Sequence, residues 1–199
     1  MKKGIIGAGG FGREVFWSLS PIQRNNTVFF VSDEYWDNTN PKILPLSLFE
    51  VDKYEIVVAI GDPLARKKII DLLPKNTKFF THIHPSVQIL ATDVKIGEGS
   101  IICAGCILTT NITIGKHAHL NLQTTVGHDT VIGDFFTTAP GAKISGNCNI
   151  GDLVYVGTNA SIKEKINVCD LVTIGLNAGV VKNITESGVY VGVPCKKIK

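Results

Sequence analysis

The chain has 199 residues, 44% of them hydrophobic and only 19% charged, so it can offset its ordering entropy by burial and extended disorder is excluded. The formal net charge of +3 is spread evenly, with 11 basic and 9 acidic side chains in residues 1–80 and 9 and 8 in residues 81–199, which excludes a nucleic-acid footprint. No run approaches the ~20 apolar residues of a bilayer span, and glycine breaks the start Met1-Lys2-Lys3-Gly4-Ile5-Ile6-Gly7 before a signal-peptide core can form, so a soluble cytoplasmic protein is expected.

Lys3–Ile6 reads as a short apolar strand, followed by the glycine turn Gly7-Ala8-Gly9-Gly10-Phe11-Gly12 and a helix from Arg13 to about Ser20, stopped by Pro21. Thr27–Val31 and Glu55–Ile60 look like buried parallel strands, Pro63–Leu73 like a helix, and Lys78–Phe80 like a last strand. Strands alternating with helices predict a small parallel sheet, a Rossmann-like βαβαβ unit over residues 1–82.

From residue 90 a six-residue repeat takes over, with leading positions at Leu90, Ile96, Ile102, Leu108, Ile114, Leu120 and every sixth residue to Val180. Fifteen of these sixteen are aliphatic, Thr138 being the exception, and no insertion is visible. Glycine often follows directly, at 97, 115, 127, 133, 151, 157 and 175, and the fourth residue on is often small. A period of six suits neither an amphipathic helix nor separate strands. It predicts an all-β parallel β-helix of triangular section over residues 83–199, three hexapeptides to a coil and neighbouring coils about 4.8 Å apart. The aliphatic then fills the prism, glycine adopts a turn other residues resist, and the small residue leaves room at the corner.

Five cysteines in a chain without an export signal predict reduced thiols. Cys103-Ala104-Gly105-Cys106 has CxxC spacing, but Cys106 falls on a small inward position and no second pair exists, so no metal is expected. The loop Gly7-x-Gly9-x-x-Gly12 between strand and helix has the context of a phosphate-cradling turn, and Asp33, 21 residues beyond Gly12, stands where a ribose-binding acid would. A unit of some 80 residues lacks the half that holds a nicotinamide, so the loop is read as gripping the nucleotide of a nucleotide-linked sugar.

Three segments together, Gly7-Ala8-Gly9-Gly10-Phe11-Gly12-Arg13-Glu14-Val15, Asn121-Leu122-Gln123-Thr124-Thr125-Val126-Gly127-His128-Asp129 and Val189-Tyr190-Val191-Gly192-Val193-Pro194-Cys195-Lys196, make the sequence resemble the NeuD/PglD-type sugar acyltransferases along nearly its whole length. The resemblance implies left-handed coils and homotrimers with active sites between subunits. It also implies acetyl transfer from acetyl-CoA to the amine of a nucleotide-linked amino-deoxy sugar, used for surface glycans.

His128 aligns with the family's catalytic base, and a histidine near neutrality suits removal of a proton from an attacking amine. With eighteen residues per coil it stacks on Gly146, whose N–H is placed to stabilise the oxyanion, as the family's matching glycine does. Asp129 either polarises the imidazole or is a solvated turn carboxylate. Asn121 matches an active-site asparagine that contacts the sugar, or is a corner residue bonding its own turn. Of the other histidines, His82 and His84 are read as structural, and His117 and His119 as turn residues flanking Ala118.

By resemblance, Gly9, Gly10, Phe11, Gly12, Ile60 and Gly61 hold the nucleotide sugar. Coenzyme A would lie in an outer groove near Gly157, Thr158, Gly175 and Leu176, with Pro194 and Lys196 toward the adenine and its phosphate. Phe11 and Thr137 are departures, since each stands where relatives carry a ligand-contacting histidine. Three alternatives stay open: sugar O-acetylation of the sialic-acid type, a zinc lyase built on the β-helix, and a non-catalytic trimeric nucleotide-binding module.

Overall fold

The computed structural model describes residues Met1 to Lys199. Strands β1 (Lys2–Ile6), β2 (Thr27–Val31), β3 (Ile43–Pro45), β4 (Tyr54–Val58) and β5 (Lys78–Phe79) form a parallel sheet in the order β3-β2-β1-β4-β5. Ile5, Ile6, Phe30, Ile56, Val57 and Val58 are buried in it, as continuous apolar strands covered on both faces require. The edge strand β3 was not expected. Its short Ile-Leu-Pro sequence carries no alternation, and proline is tolerated there because an edge N–H has no ladder partner.

Helix α1 (Gly10–Ser18) starts three residues earlier than predicted, inside the glycine loop, with Gly9 as N-cap. It ends before Pro21 because a second helix, α2 (Pro21–Asn25), begins there with proline in its first turn and a Ser20–Gln23 capping box. Helix α3 (Pro63–Leu72) is N-capped by Asp62, whose carboxylate accepts the Ala65 N–H at 2.7 Å.

The chain passes from sheet to solenoid within two residues: the Phe80 N–H bonds Ile56, and the His82 N–H already bonds Ser100 in the coil above. The solenoid has three parallel faces. Face I carries His82–Ile83, Ile101–Ile102, His119–Leu120, Thr137–Thr138, Tyr155–Val156 and Val172–Ile174, and ends in Gly188–Val191 and the antiparallel Lys196–Lys197. Face II carries Gln88–Ile89, Ile107–Leu108, Thr125–Val126, Lys143–Ile144, Ser161–Ile162 and Gly179–Val180. Face III carries Lys95–Ile96, Thr113–Ile114, Val131–Ile132, Asn149–Ile150 and Asn167–Val168. In each pair the second residue points in, and Leu108, Leu120, Ile132, Ile150 and Ile174 are buried in a single core.

The repeat departs from the sequence reading at both ends. Leu90 is 63% exposed, and Ile89 takes its place opposite Leu108, so the first coil spans nineteen residues rather than eighteen. At the other end Tyr190 pairs with Ile174 after only sixteen.

A second correction concerns glycine. The left-handed turn residue is the third after the aliphatic, and it is seldom glycine: Asn111, Gln123, Asp129, Asn147, Asn159 and Asn177 hold φ between 51° and 59°. Asparagine and aspartate tolerate that region because the short polar side chain bonds locally. The glycines directly after the aliphatic supply space instead. A methyl at Gly115 would stand 2.5 Å from the Gly133 carbonyl carbon, and one at Gly133 would stand 2.7 Å from that of Gly151.

The N-terminal unit lies on face I, whose outward residues Ile101, His119 and Thr137 are buried beneath it. This overturns the expectation for His119, which sits in a strand under the sheet rather than in a turn. His117 does occupy the left-handed turn, with its ring buried between Phe79 and Phe135. His82 is buried against Ser18, Nε2 to Oγ 2.7 Å.

Burial lowers the pKa of His82 and of His117 to about 4, and that of His119 well below its ordinary value. The folded protein therefore holds all three neutral where the unfolded chain, at ~6.5, binds protons. Their contribution to stability is complete above pH 6.5 and is lost as pH falls toward 4. Urea unfolding between pH 7 and 4.5 is expected to show stability falling by up to ~1.4 kcal/mol per pH unit for each histidine. A flat profile would contradict this account of the seam.

Candidate active site

The predicted site residues fall into three places. The first is a cleft of about 370 Å³ over the glycine loop, lined by Gly7, Ala8, Gly9, Ser32, Tyr35 and Ile60. The glycines of the loop do different work. A methyl at Gly9 or Gly10 would meet nothing within 4 Å, so backbone is open to a ligand there, whereas one at Gly12 would strike the Gly7 carbonyl. Gly12 thus serves the close packing of α1 on β1, while the first-turn N–H groups of α1 lack any side-chain cap or acidic neighbour. Asp33 follows Ser32 but does not line the cleft. Its Oδ1 accepts the Ser47 N–H at 3.1 Å, and bonds from Ser47 hold its carboxyl below the usual range.

The second place is a cleft of about 300 Å³ between the two units. Phe11 and Glu14 enter it from α1, Gly61 from the end of the sheet, and Asn121, Thr138, Tyr155 and Thr158 from the solenoid. Asn121 Oδ1 accepts the Leu122 N–H at 2.7 Å, the bond of a corner asparagine. Thr137 also lines the cleft, but its hydroxyl is committed: it donates to the Gly61 carbonyl at 3.0 Å and accepts from Arg66 at 2.8 Å.

The third place is the corner between faces II and III. Nδ1 of His128 lies 2.7 Å from Oδ2 of Asp129, while Asp129 Oδ1 accepts from Asn111 Nδ2, also at 2.7 Å. The left-handed backbone at Asp129 (φ 58°) turns its carboxylate back onto the neighbouring imidazole, which an extended strand forbids. The Asn111 bond first, then the His128 bond, hold the Asp129 carboxyl below its ordinary range, so it is ionised at neutral pH. With Nδ1–H donated to this carboxylate, Nε2 is left as the basic nitrogen.

Nε2 lies over Gly146, where a methyl would come within 2.7 Å of it. At the corner between faces III and I, the N–H groups of Lys116, Asp134 and Asp152 are each taken by an aspartate one coil on. At the His128 corner, between faces II and III, the equivalent N–H groups of Thr110, His128, Gly146 and Glu164 make no hydrogen bond within the chain.

His128, Asp129 and Gly146 line neither cleft. They stand a full face away from Asn121 and Thr158, separated by up to ~25 Å of extended chain. Gly157 and Gly175 stack at the Asn121 corner, Gly157 directly under the Gly175 backbone, with Leu176 70% exposed beside them. Gly175 is itself covered by Val191 of the returning C-terminal strand. Pro194 and Lys196 line a different cavity, of about 410 Å³, with Lys182 and Lys197. The thiols of the CxxC segment are pushed up by burial, to about 12 for Cys103 and about 11 for Cys106, far from nucleophilic. No group of three His, Cys, Asp or Glu side chains is placed to hold a metal ion.

Two residues were not anticipated. Asn111 is one coil before Asp129, and the eighteen-residue stacking rule that led to Gly146 also leads to it. Arg66 is fully buried between the units; in sequence it is one of three successive basic residues on a helix and reads as solvated.

Residues 4–73 match the PglD N-terminal domain family. The chain is 30% identical over 154 residues to a GDP-perosamine N-acetyltransferase of Escherichia coli O157:H7, covering 72% of this chain and 69% of that one. Among solved structures, WeeI from Acinetobacter baumannii AYE is 33% identical over the whole of both chains, with a TM-score of 0.88. PerB from Caulobacter crescentus, solved in complex with CoA and GDP-perosamine, shares the fold at 23% identity and a TM-score of 0.89, over 100% of this chain and 98% of that one.

Proposed function

The chain belongs to the NeuD/PglD-type sugar acetyltransferases, and from that premise we propose that it transfers acetyl from acetyl-CoA to the amine of a nucleotide-linked 4-amino-4,6-dideoxyhexose. One observation carries this reading: a His128–Asp129 pair whose free Nε2 stands over Gly146, a residue with no side chain and an N–H that makes no hydrogen bond within the chain. A base and an unsatisfied donor side by side are what attack of an amine on a thioester requires.

In the proposed reaction, Nε2 of His128 accepts the proton that the sugar nitrogen sheds as its lone pair closes on the thioester carbonyl. The imidazolium so formed is held by the Asp129 carboxylate. The carbonyl electron pair moves to oxygen, which accepts the Gly146 N–H. When the carbonyl reforms, the carbon–sulfur bond breaks and the thiolate takes the proton from His128, leaving amide, CoA thiol and neutral histidine. No covalent enzyme intermediate is involved.

The acceptor's nucleotide is assigned to the glycine-loop cleft and its sugar to the inter-unit cleft beside Phe11, Gly61 and Asn121. Coenzyme A is assigned to the corner at Thr158, Gly157, Gly175 and Leu176. Because His128 stands a face away from Asn121, the site is completed by a second copy: a trimer of parallel prisms sets the His128 corner of one against the Asn121 corner of the next. Phe11 and the committed Thr137 hydroxyl make this cleft less polar than one with histidine at both positions. No helix is long and apolar enough to cross a membrane.

The test is acetyl-CoA turnover against UDP-, dTDP- and GDP-linked 4-amino-4,6-dideoxyhexoses and the matching 4-hydroxy sugars, with products identified by mass spectrometry. Amide product from an amino sugar is expected. Ester product, or no CoA release with any acceptor, would overturn the proposal in favour of O-acetylation or a binding module.

A further inference from the structure

Arg66 is the largest fully buried side chain of the protein, and no carboxylate lies within ion-pair distance of it. Its two Nη groups are bonded instead by groups from both units, while the buried Nε has no partner. Nη1 donates to the Ile60 carbonyl at 2.6 Å, the Gly61 carbonyl at 3.3 Å and His119 Nδ1 at 3.0 Å. Nη2 donates to the Phe135 carbonyl at 2.7 Å, the Phe136 carbonyl at 3.3 Å and Thr137 Oγ1 at 2.8 Å. A guanidinium only donates, so His119 must accept through Nδ1 and carry its proton on Nε2. The Thr137 hydroxyl then passes its own proton to Gly61, closing a ring of bonds from the sheet end through Arg66 to face I and back.

Burying a lone cation is costly, and Arg66 makes up the cost with carbonyl dipoles rather than an anion. A purely structural helix residue has a cheaper solution in an apolar side chain. What the charge adds is direction: a planar fork with fixed donors can hold two backbone segments at one separation. The two segments are the ones the clefts share. Ile60 lines the glycine-loop cleft, Gly61 and Thr137 line the inter-unit cleft, and Arg66 lies behind all three.

We infer that Arg66 is a positioning residue for acyl transfer: it clamps the Ile60–Gly61 turn to the Phe135–Thr137 strand and so sets the distance between the nucleotide grip and the reacting sugar nitrogen. This rests on the acetyltransferase reading for its consequence in turnover, but not for the clamp itself. A displacement of about 1 Å between a bound group and its reaction partner costs on the order of 100-fold in rate.

The experiment compares wild type, Arg66→Met and Arg66→Lys on the full-length protein. In Arg66→Met, turnover at saturating acetyl-CoA is expected to fall about 100-fold, while GDP, UDP and CoA added singly each bind within about threefold of wild type by calorimetry. Arg66→Lys keeps the charge and up to three donors and is expected to recover to within about tenfold.

Amide hydrogen exchange reads the clamp independently of activity, with faster exchange in Arg66→Met at residues 59–62 and 135–139 and unchanged exchange in β1 and the upper coils. Unchanged exchange at those two segments overturns the proposal, and so does loss of single-ligand binding in parallel with turnover. A wild type active on no acceptor, with exchange changed as expected, would leave the clamp standing and remove the acetyltransferase reading. Should Arg66→Met fail to fold, Thr137→Val, which cuts one strut of the ring, is expected to show the same exchange pattern at smaller amplitude; its absence overturns the proposal.

Discussion

Replacing His128 by alanine is expected to lower kcat by about 10²- to 10⁴-fold, the range general-base catalysis supplies, while melting temperature and oligomeric state stay as in wild type. The fold is indifferent to the substitution because the His128 side chain is 56% exposed and belongs to no core cluster. Its backbone carbonyl, which bonds the Asn147 N–H, is retained in alanine. The proposed placement of the site between copies makes a second prediction from the same variant. Hybrid oligomers of His128→Ala with a glycine-loop or Asn121 variant should regain activity that neither possesses alone, because some sites then draw both intact halves from different chains. Near-normal turnover in His128→Ala would remove the base from the mechanism.

Gly146→Ala keeps the backbone N–H but is expected to be nearly as damaging, by about 10²- to 10³-fold in kcat, because it displaces the base, whose contribution is of that order. The added methyl would stand 2.7 Å from Nε2, 2.8 Å from Cε1 and 3.0 Å from Cδ2 of His128, so it must push the imidazole out of its place over the N–H. The backbone at 146 lies outside the left-handed region, so alanine suits its conformation and the coil is expected to form normally. Circular dichroism, the unfolding midpoint and CoA affinity should be unchanged, which separates this outcome from a stacking defect. At Gly115, by contrast, a methyl meets the next coil's backbone rather than a side chain, so alanine there is a lesion of the fold. Wild-type kcat in Gly146→Ala would mean that the imidazole does not act from its place over Gly146.

The solenoid was legible because its core repeats in sequence: an aliphatic at every sixth position can only be buried together if the chain coils, and the period then gives the stacking register. That register led from His128 to Gly146 without coordinates, and would have led from Asp129 to Asn111. It failed at Leu90, where one extra residue in the first coil shifts the inward position to Ile89; a single aliphatic pair, Ile89-Leu90, holds both registers in sequence and only pairing with Leu108 chooses between them. The glycines after the aliphatics are selected by the next coil rather than by a turn conformation; steric exclusion and a left-handed φ both select glycine, and composition does not distinguish them.

The chain by itself therefore determined the two architectures and, once the family resemblance singles out His128, the register that stacks it on Gly146. Both follow from local periodicity, glycine placement and spacing, which are properties of neighbours in sequence or of a fixed repeat. Tertiary structure alone decided what lies between the units. Arg66 is a solvated base by every local criterion until the sheet settles on face I and removes water from it, and His119 and Thr137 look like any outward strand residues until the same surface covers them. Contacts between two separately encoded surfaces have no period to betray them, so the seam, and with it the spacing of the clefts, exists only in the folded molecule.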